Sequence, residues 1–233
     1  MAEQTQGKKP PKLRRPGGME ILYEDRDILV VVKPAGLLTI GSEREKRRTA
    51  HYLLNDYVRK GDPKSRHRVF VVHRLDQETS GLLLFARSEA VKTFLQQDWE
   101  TTEKHYVAVV HGAVSPAAGT ISSCLAENRA QRVYSTTEPG QGKLAHTAYR
   151  VLQQGRGCSL LDIHLLTGRK HQIRVHFAEL GHPLVGDRKY GADSAPRLAL
   201  HARSLTFTHP GNGRLLSFDT GIPEELVRLL GRP

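Results

Sequence analysis

His73-Arg74-Leu75-Asp76-Gln77-Glu78-Thr79-Ser80-Gly81 is a polar run set between two apolar ones, Val69-Phe70-Val71-Val72 before it and Leu82-Leu83-Leu84-Phe85-Ala86 after it. Apolar runs of four or five residues, partly β-branched or aromatic, read as buried strands or strand ends. The core scaffold itself therefore delivers the carboxylate of Asp76, with the guanidinium of Arg74 two residues away. Asp and Arg are almost never buried unless paired. Taken alone, the segment admits two readings. One is a plain turn between strands, for which Asp, Thr, Ser and Gly are ordinary residues. The other is a mount for a reactive carboxylate.

The remaining composition narrows the choice. The chain has 233 residues, enough for one large domain or two small lobes on a shared core, and 38% of them are hydrophobic. No apolar run approaches the ~18 residues of a membrane span. The basic N-terminus (Lys8, Lys9, Lys12, Arg14, Arg15) has no apolar segment behind it, so it does not read as a secretory signal. Cys124 and Cys158 are expected as free thiols in a reducing cytoplasm, with no Cys or His nearby at zinc-ligand spacing. Lys and Arg number 35 against 24 acids, a net charge of +11. Residues 1–18 hold five bases and one acid, so the body keeps +7. A basic body suits a polyanionic partner such as nucleic acid.

Along the chain, residues 1–18 lack the apolar content to offset chain entropy and are expected to be a disordered basic tail, with one domain over 19–233. Ile21–Tyr23 and Ile28–Val32 form a hairpin that Lys33-Pro34-Ala35-Gly36 ends, since proline cannot continue a central ladder. Residues 41–48 make a charged, mobile loop. Thr49 caps a helix to about residue 59, and Ser88 caps another in which Val91, Leu95 and Trp99 face the core. Strands are expected at 103–112, 119–123, 131–136 and 144–152. Leu161–Leu165 alternates as a half-exposed strand. From Thr167 a helix carries Ile173, Phe177 and Leu180 on one face and ends at Gly181, with Arg169, Lys170, His171 and Arg174 as its basic residues. Strands near 198–208 and 214–218 and a helix at about 223–230 follow. Strands outnumber helices without β-α-β alternation, which points to an α+β fold with a mixed, largely antiparallel sheet.

Twelve histidines invite a metal. His171 and His176 are five apart, on different faces of a helix, where a zinc pair needs four. His105 and His111 stand too far apart along a strand to share one ion. Gly-x-Ser-x-Gly is missing, which leaves a serine triad unsupported. What remains is Asp76, the basic set Arg169, Lys170 and Arg174, and the ring of Tyr106. An Arg beside Asp76 would keep it ionised, and an ionised carboxylate can act as nucleophile or base without a metal. An aromatic ring can stack on an extruded base. A structural Asp76–Arg174 pair and a core Tyr106 fit the residues as well.

Four ordered blocks resemble one family. His73-Arg74-Leu75-Asp76-x-x-Thr79-Ser80-Gly81-Leu82 is similar to the signature of the RluA-type RNA pseudouridine synthases. Ile21 to Leu38, Lys104-x-Tyr106-x-Ala108 with Gly112, and Thr167-Gly168-Arg169-x-His171-Gln172-Ile173-Arg174-Val175-His176 running to Gly186-Asp187 resemble the same family, in the same order. The segment Leu198 to Pro210 resembles its final strands. The resemblance implies a pseudouridine synthase catalytic-domain fold with a central cleft. In it Asp76 attacks a target uridine at ribose C1′ or at the base, Arg174 is the aspartate's basic partner, and Tyr106 packs on the target base. Arg74 fills the space of the flipped nucleotide, and Arg169, Lys170 and His171 contact RNA. The reaction it implies is redox-neutral and takes neither cofactor nor metal.

Two departures stand out. Many relatives carry an S4-like RNA-binding domain where this chain has its basic tail, so selection is expected from the catalytic domain and loops such as 41–48 and 60–68. Lys170 stands where the family usually has Thr or Ser. The expectation is a cytoplasmic, monomeric enzyme acting on structured RNA, either 23S rRNA or tRNA, without DNA or membrane partners. The alternative is a catalytically silent RNA-binding module of the same fold. A metal-dependent nuclease finds no carboxylate cluster in the sequence.

Overall fold

The computed structural model describes residues 15–41, 45–62, 64–97, 99–191 and 195–231. Eleven strands among them form one sheet. They are β1 (Glu20–Glu24), β2 (Ile28–Lys33), β3 (Phe70–Val71), β4 (Ser80–Ala86), β5 (Glu103–His111), β6 (Ala118–Glu127), β7 (Val133–Thr136), β8 (Lys143–Gly155), β9 (Cys158–Leu165), β10 (Leu200–Thr208) and β11 (Leu215–Asp219). The helices are α1 (Ala50–Arg59), α2 (Glu89–Gln97), α3 (Gln172–Glu179) and α4 (Glu224–Arg228). The spatial order is β1-β2-β4-β10-β5-β9-β8-β6-β7, with β3 beside β4 and β11 beside β10. The α+β reading holds: each of these pairings is antiparallel except β4 with β10.

The apolar run at 82–86 has no polar alternation because β4 is covered on both faces. Leu83 and Phe85 pack with Leu54 and Val58 of α1. Leu82, Leu84 and Ala86 pack with Val30, Leu95 of α2 and Phe207. In the second half of the sheet, Ile173 and Phe177 of α3 pack on Ala108, Leu161 and Ile163. Leu226 and Leu230 pack on Val107 and Val109 from the other side. Tyr106 touches both the α1-side and the α3-side clusters, so it marks the valley between them.

The two halves meet at a short parallel seam, Ser80–Gly81 against His201–Ala202. Gly81 has φ +114°, and a Cβ there would stand 2.2 Å from the Ala202 carbonyl oxygen. Only glycine combines that backbone with that approach. Ala202 pairs on its other side with Tyr106. The polar loop 73–79 therefore ends where the halves join, beside Tyr106.

The caps are as expected: Thr49 Oγ1 accepts from Tyr52 N at 3.2 Å, and Ser88 Oγ from Val91 N at 3.2 Å. Other details differ. α3 begins at Gln172, because His171 is left-handed (φ 54°) and breaks the helical backbone. Arg169, Lys170 and His171 thus lie on the loop that enters α3. β9 does alternate over Leu161–Leu165: Leu161, Ile163 and Leu165 are buried beneath α3, and Asp162 and His164 are half-buried. Trp99 lies beyond the end of α2 and stacks on His73 at 4.4 Å between ring centroids. Of the tail, residues 1–14 fall outside the described residues. Pro16–Gly18 form a 3-10 turn leading into Met19, which is fully buried. In the charged loop, 42–44 fall outside the described residues and Lys46–Arg48 form a 3-10 turn.

Candidate active site

Asp76 sits in a turn closed by Thr79 N donating to its own carbonyl at 3.2 Å. Three side chains and one backbone pair hold that turn. Thr39 Oγ1 donates to Leu75 O (2.9 Å) and accepts from Leu75 N (3.2 Å), so one hydroxyl satisfies both backbone groups of the residue before Asp76. The fully buried Lys33 sends its ammonium to the carbonyls of Pro34 (3.0 Å), Leu37 (2.7 Å) and Gln77 (3.0 Å). Burial pulls its pKa down to about 8, while the charges of Asp76 and Glu78 act in the opposite sense. Gly36 N donates to Gln77 O at 2.9 Å. On the other flank, His73 Nε2 accepts from Leu84 N at 3.0 Å. The carboxylate-bearing loop is fixed at both ends.

Arg174 of α3 reaches the same place. Its Nη1 donates to Asp76 Oδ2 at 3.2 Å, joining residues 98 apart in sequence. Its Nε and Nη2 form a bidentate pair with Asp187, both at 2.8 Å. Asp187 Oδ1 also accepts from Lys189 N and Tyr190 N, each at 3.0 Å. Burial disfavours both charges. The pairing outweighs it, holding Asp187 below its ordinary carboxylate value and Arg174 above its ordinary value. The ring of Tyr190 lies under the guanidinium at 5.2 Å, a cation–π geometry. Arg174 is thus clamped from behind and offers one N–H forward.

Asp76 retains 26% side-chain exposure against 9% for Arg174 and 11% for His171, so the carboxylate faces the cleft while its partners form the wall. His171 Nε2 stands 3.7 Å from the same Oδ2. Tyr106 lines the cleft beside Asp76. Burial, and then the charge of Asp76, push its pKa up, so the phenol keeps its proton. Arg74 is exposed and lines the same opening.

A groove of about 570 Å³ runs from Asp76 past His73, Arg74, Trp99 and Lys104 to the loop Gly168–His171. Gln172 fixes that loop: its Oε1 accepts from Thr167 Oγ1 and Arg169 N (both 2.9 Å), and its Nε2 donates to His146 O (3.0 Å) and Thr147 Oγ1 (2.9 Å). Arg169 Nε donates to Leu144 O at 3.1 Å, and Lys170 pairs with Glu127. Both bases rim the cleft without touching Asp76. The structure therefore gathers Asp76, Arg174, Tyr106, Arg74 and His171 around one opening and places Arg169 and Lys170 at its edge.

Sequence reasoning passed over Thr39, Lys33, Asp187 and Tyr190. Lys33 and Asp187 lay inside the resembling blocks, yet nothing in their local spacing marked them as partners. Thr39 carried no signal at all.

Three comparisons bear on this site. Residues 27–179 match the RNA pseudouridylate synthase family, a span that includes Asp76, Tyr106 and Arg174. An uncharacterized RNA pseudouridine synthase of Mycobacterium bovis is 39% identical over 229 residues, covering 91% of this chain and 72% of that one. Ribosomal large subunit pseudouridine synthase D of Yersinia pestis is 34% identical over 231 residues, covering 91% and 70%. The solved structure of human RNA pseudouridylate synthase domain containing 1 is similar over 92% of this chain and 86% of its own, with TM-score 0.71 and 27% identity.

Proposed function

The chain belongs to the RNA pseudouridine synthase family, and on that premise we propose that Asp76 is the nucleophile with which it isomerises uridines of large-subunit ribosomal RNA. The observation that carries this reading is the asymmetric grip on one carboxylate. Asp76 Oδ2 takes the 3.2 Å contact from Arg174, Oδ1 has no hydrogen bond to another described residue, and the side chain stays part-exposed in the cleft. A guanidinium on one oxygen leaves the other for an incoming atom.

The chemistry follows from that placement. Oδ1 attacks the target nucleotide at ribose C1′ or at the base, and the N1–C1′ bond breaks. The uracil turns within the cleft, a C5–C1′ bond forms, the bond to Oδ1 breaks so that Asp76 leaves as a carboxylate again, and the C5 proton is released as N1 gains one. No electron leaves the system. Tyr106, held as a neutral phenol, offers a face for the uracil and an O–H beside C5. Arg74, exposed at the opening, would fill the helix position that the target nucleotide vacates. Arg169 and Lys170 supply phosphate contacts at the rim, which add affinity without reading sequence. The 34% identity to a large-subunit synthase supports rRNA as the substrate class, and the enzyme would then work in the cytoplasm.

The test is tritium release from RNA labelled at uridine C5. Asp76→Asn is expected to abolish release while leaving RNA affinity within about threefold, since the cleft and its bases remain. Full activity in that variant would remove Asp76 from the mechanism. Mapping pseudouridines in total RNA with and without the gene decides between ribosomal and transfer RNA.

A further inference from the structure

His171 stands in the left-handed region at φ 54°. The other described non-glycine residues with positive φ, Lys60 and Gln131, sit in turns that end an element. A side chain in this conformation is retained where the surroundings over-determine it. At His171 the ring is held by a hydrogen bond at Nδ1 and stands beside Asp76 at Nε2. Nδ1 lies 2.8 Å from Tyr190 Oη, and Nε2 lies 3.7 Å from Asp76 Oδ2. The side chain is 11% exposed where it lines the cleft.

Among the described residues, His171 Nδ1 is the acceptor within reach of the Tyr190 hydroxyl, and a count of donors then favours one set of proton positions. Tyr190 Oη accepts from Val133 N at 3.0 Å. A phenol has one proton, and burial raises Tyr190's pKa, so that proton stays on the oxygen. It can be given to His171 Nδ1 only if that nitrogen is bare. Burial pushes His171 below its ordinary imidazole value, reinforced by Arg174, Lys189 and Lys170 and opposed by Asp76. A neutral ring that accepts at Nδ1 carries its hydrogen on Nε2.

We propose that Tyr190, anchored by the Val133 amide, locks His171 as the Nε2–H tautomer and so positions a second, uncharged donor on Oδ2 of Asp76 beside Arg174. His171 and Tyr190 are then positioning residues, acting through Asp76 and resting on its reading as the nucleophile. The 3.7 Å separation is longer than a hydrogen bond. It shortens when substrate turns the carboxylate, as hydrogen bonds in a reacting site commonly tighten once it is filled. Two donors on Oδ2 make the two oxygens inequivalent and leave Oδ1 as the one that reacts. Because the second donor is neutral, it holds the carboxylate without competing for its charge. The device also ties the site to β7, since Val133 is the first residue of that strand.

Nitrogen NMR of the full chain at pH 7.5 reads the tautomer directly, independent of any activity. His171 is expected to show an unprotonated Nδ1 and a protonated Nε2, and Tyr190→Phe to turn this into a mixture of tautomers. An Nδ1–H ring or an imidazolium in the unaltered protein would overturn the proposal. A second arm uses two amides. Gln places its NH₂ near the Nε2 position, whereas Asn mimics Nδ1 and cannot reach Asp76. Asn nevertheless tolerates the left-handed backbone better than Gln. If the donor matters, His171→Asn lowers kcat about tenfold more than His171→Gln, with KM similar in both. If only the backbone matters, the order reverses and the positioning role fails. Should no RNA yield pseudouridine with the unaltered chain, the proposed function fails, and the tautomer is still decided by NMR.

Discussion

At the scale of single residues, the site depends on which atom of each charged group is spent on structure and which is left over. Arg174 spends two donors on Asp187 and keeps one for Asp76. Asp187 is fully buried, and its Oδ1 also organises the backbone of 189–190. Asp187→Asn would put an NH₂ against Arg174 Nε, donor facing donor, and leave a buried guanidinium undercompensated. Breaking a buried pair from one side costs about 3 kcal/mol or more. The variant is expected to lose about that much stability in urea unfolding and to lose kcat in single turnover with a smaller change in RNA affinity. Unchanged kcat would mean that Arg174 does not need its rear clamp. The resemblance names Arg174 as the partner of Asp76, but nothing in their local spacing shows it, since 98 residues separate the two charges and the fold closes that distance.

Among the elements, the decisive ones are the loops at the seam. β2 ends in Lys33, whose ammonium collects the carbonyls of Pro34, Leu37 and Gln77 and so sets the chain beside Asp76. Lys33→Met keeps the length and removes all three donors. Each buried carbonyl left without a partner costs about 1–3 kcal/mol, partly offset because a buried charge disappears with them. The expected net loss is about 3 kcal/mol by urea unfolding, with a fall in kcat as the turn at 76–79 loosens. Stability and rate both at the level of the unaltered protein would show the clamp to be dispensable. Strand and helix boundaries were largely legible, because the caps Thr49 and Ser88 and the apolar periodicities are local signals. The start of α3 was not. Its reading as a helix from Thr167 missed the Gln172 side chain, which takes the Arg169 amide, and the left-handed His171. Both depend on contacts with β8 and Tyr190.

For the molecule as a whole, buried neutral histidines link the fold to pH. His176 bridges Thr147 and Ser123, and His201 bridges Ser80 and Thr220. Burial lowers both pKa values from 6.5 to about 4. Between about pH 6.5 and 4 the unfolded chain therefore binds more protons than the folded one. Their contribution is complete above 6.5 and is lost as pH falls toward 4, each with a slope of up to about 1.4 kcal/mol per pH unit. The urea midpoint is expected to fall steadily from pH 7 to pH 5. A midpoint that holds constant down to pH 5 would contradict the neutral assignment. His201 belongs to the parallel seam, so acid should loosen the joint between the two halves of the sheet.

From the amino-acid order alone came the α+β class, the positions of most strands and helices, the basic composition and a candidate carboxylate in Asp76. These rest on period, caps, composition and ordered motifs, all of which act over a few residues. The folded chain alone revealed that β4 and β10 join the two halves in parallel, at what distance Asp76 and the expected partner Arg174 meet, and that Asp187, Tyr190, Lys33 and Thr39 hold them there. A lone hydroxyl or ammonium gains its role from the backbone groups that packing brings to it. Those groups come from segments distant in the chain, so no spacing in the sequence announces them.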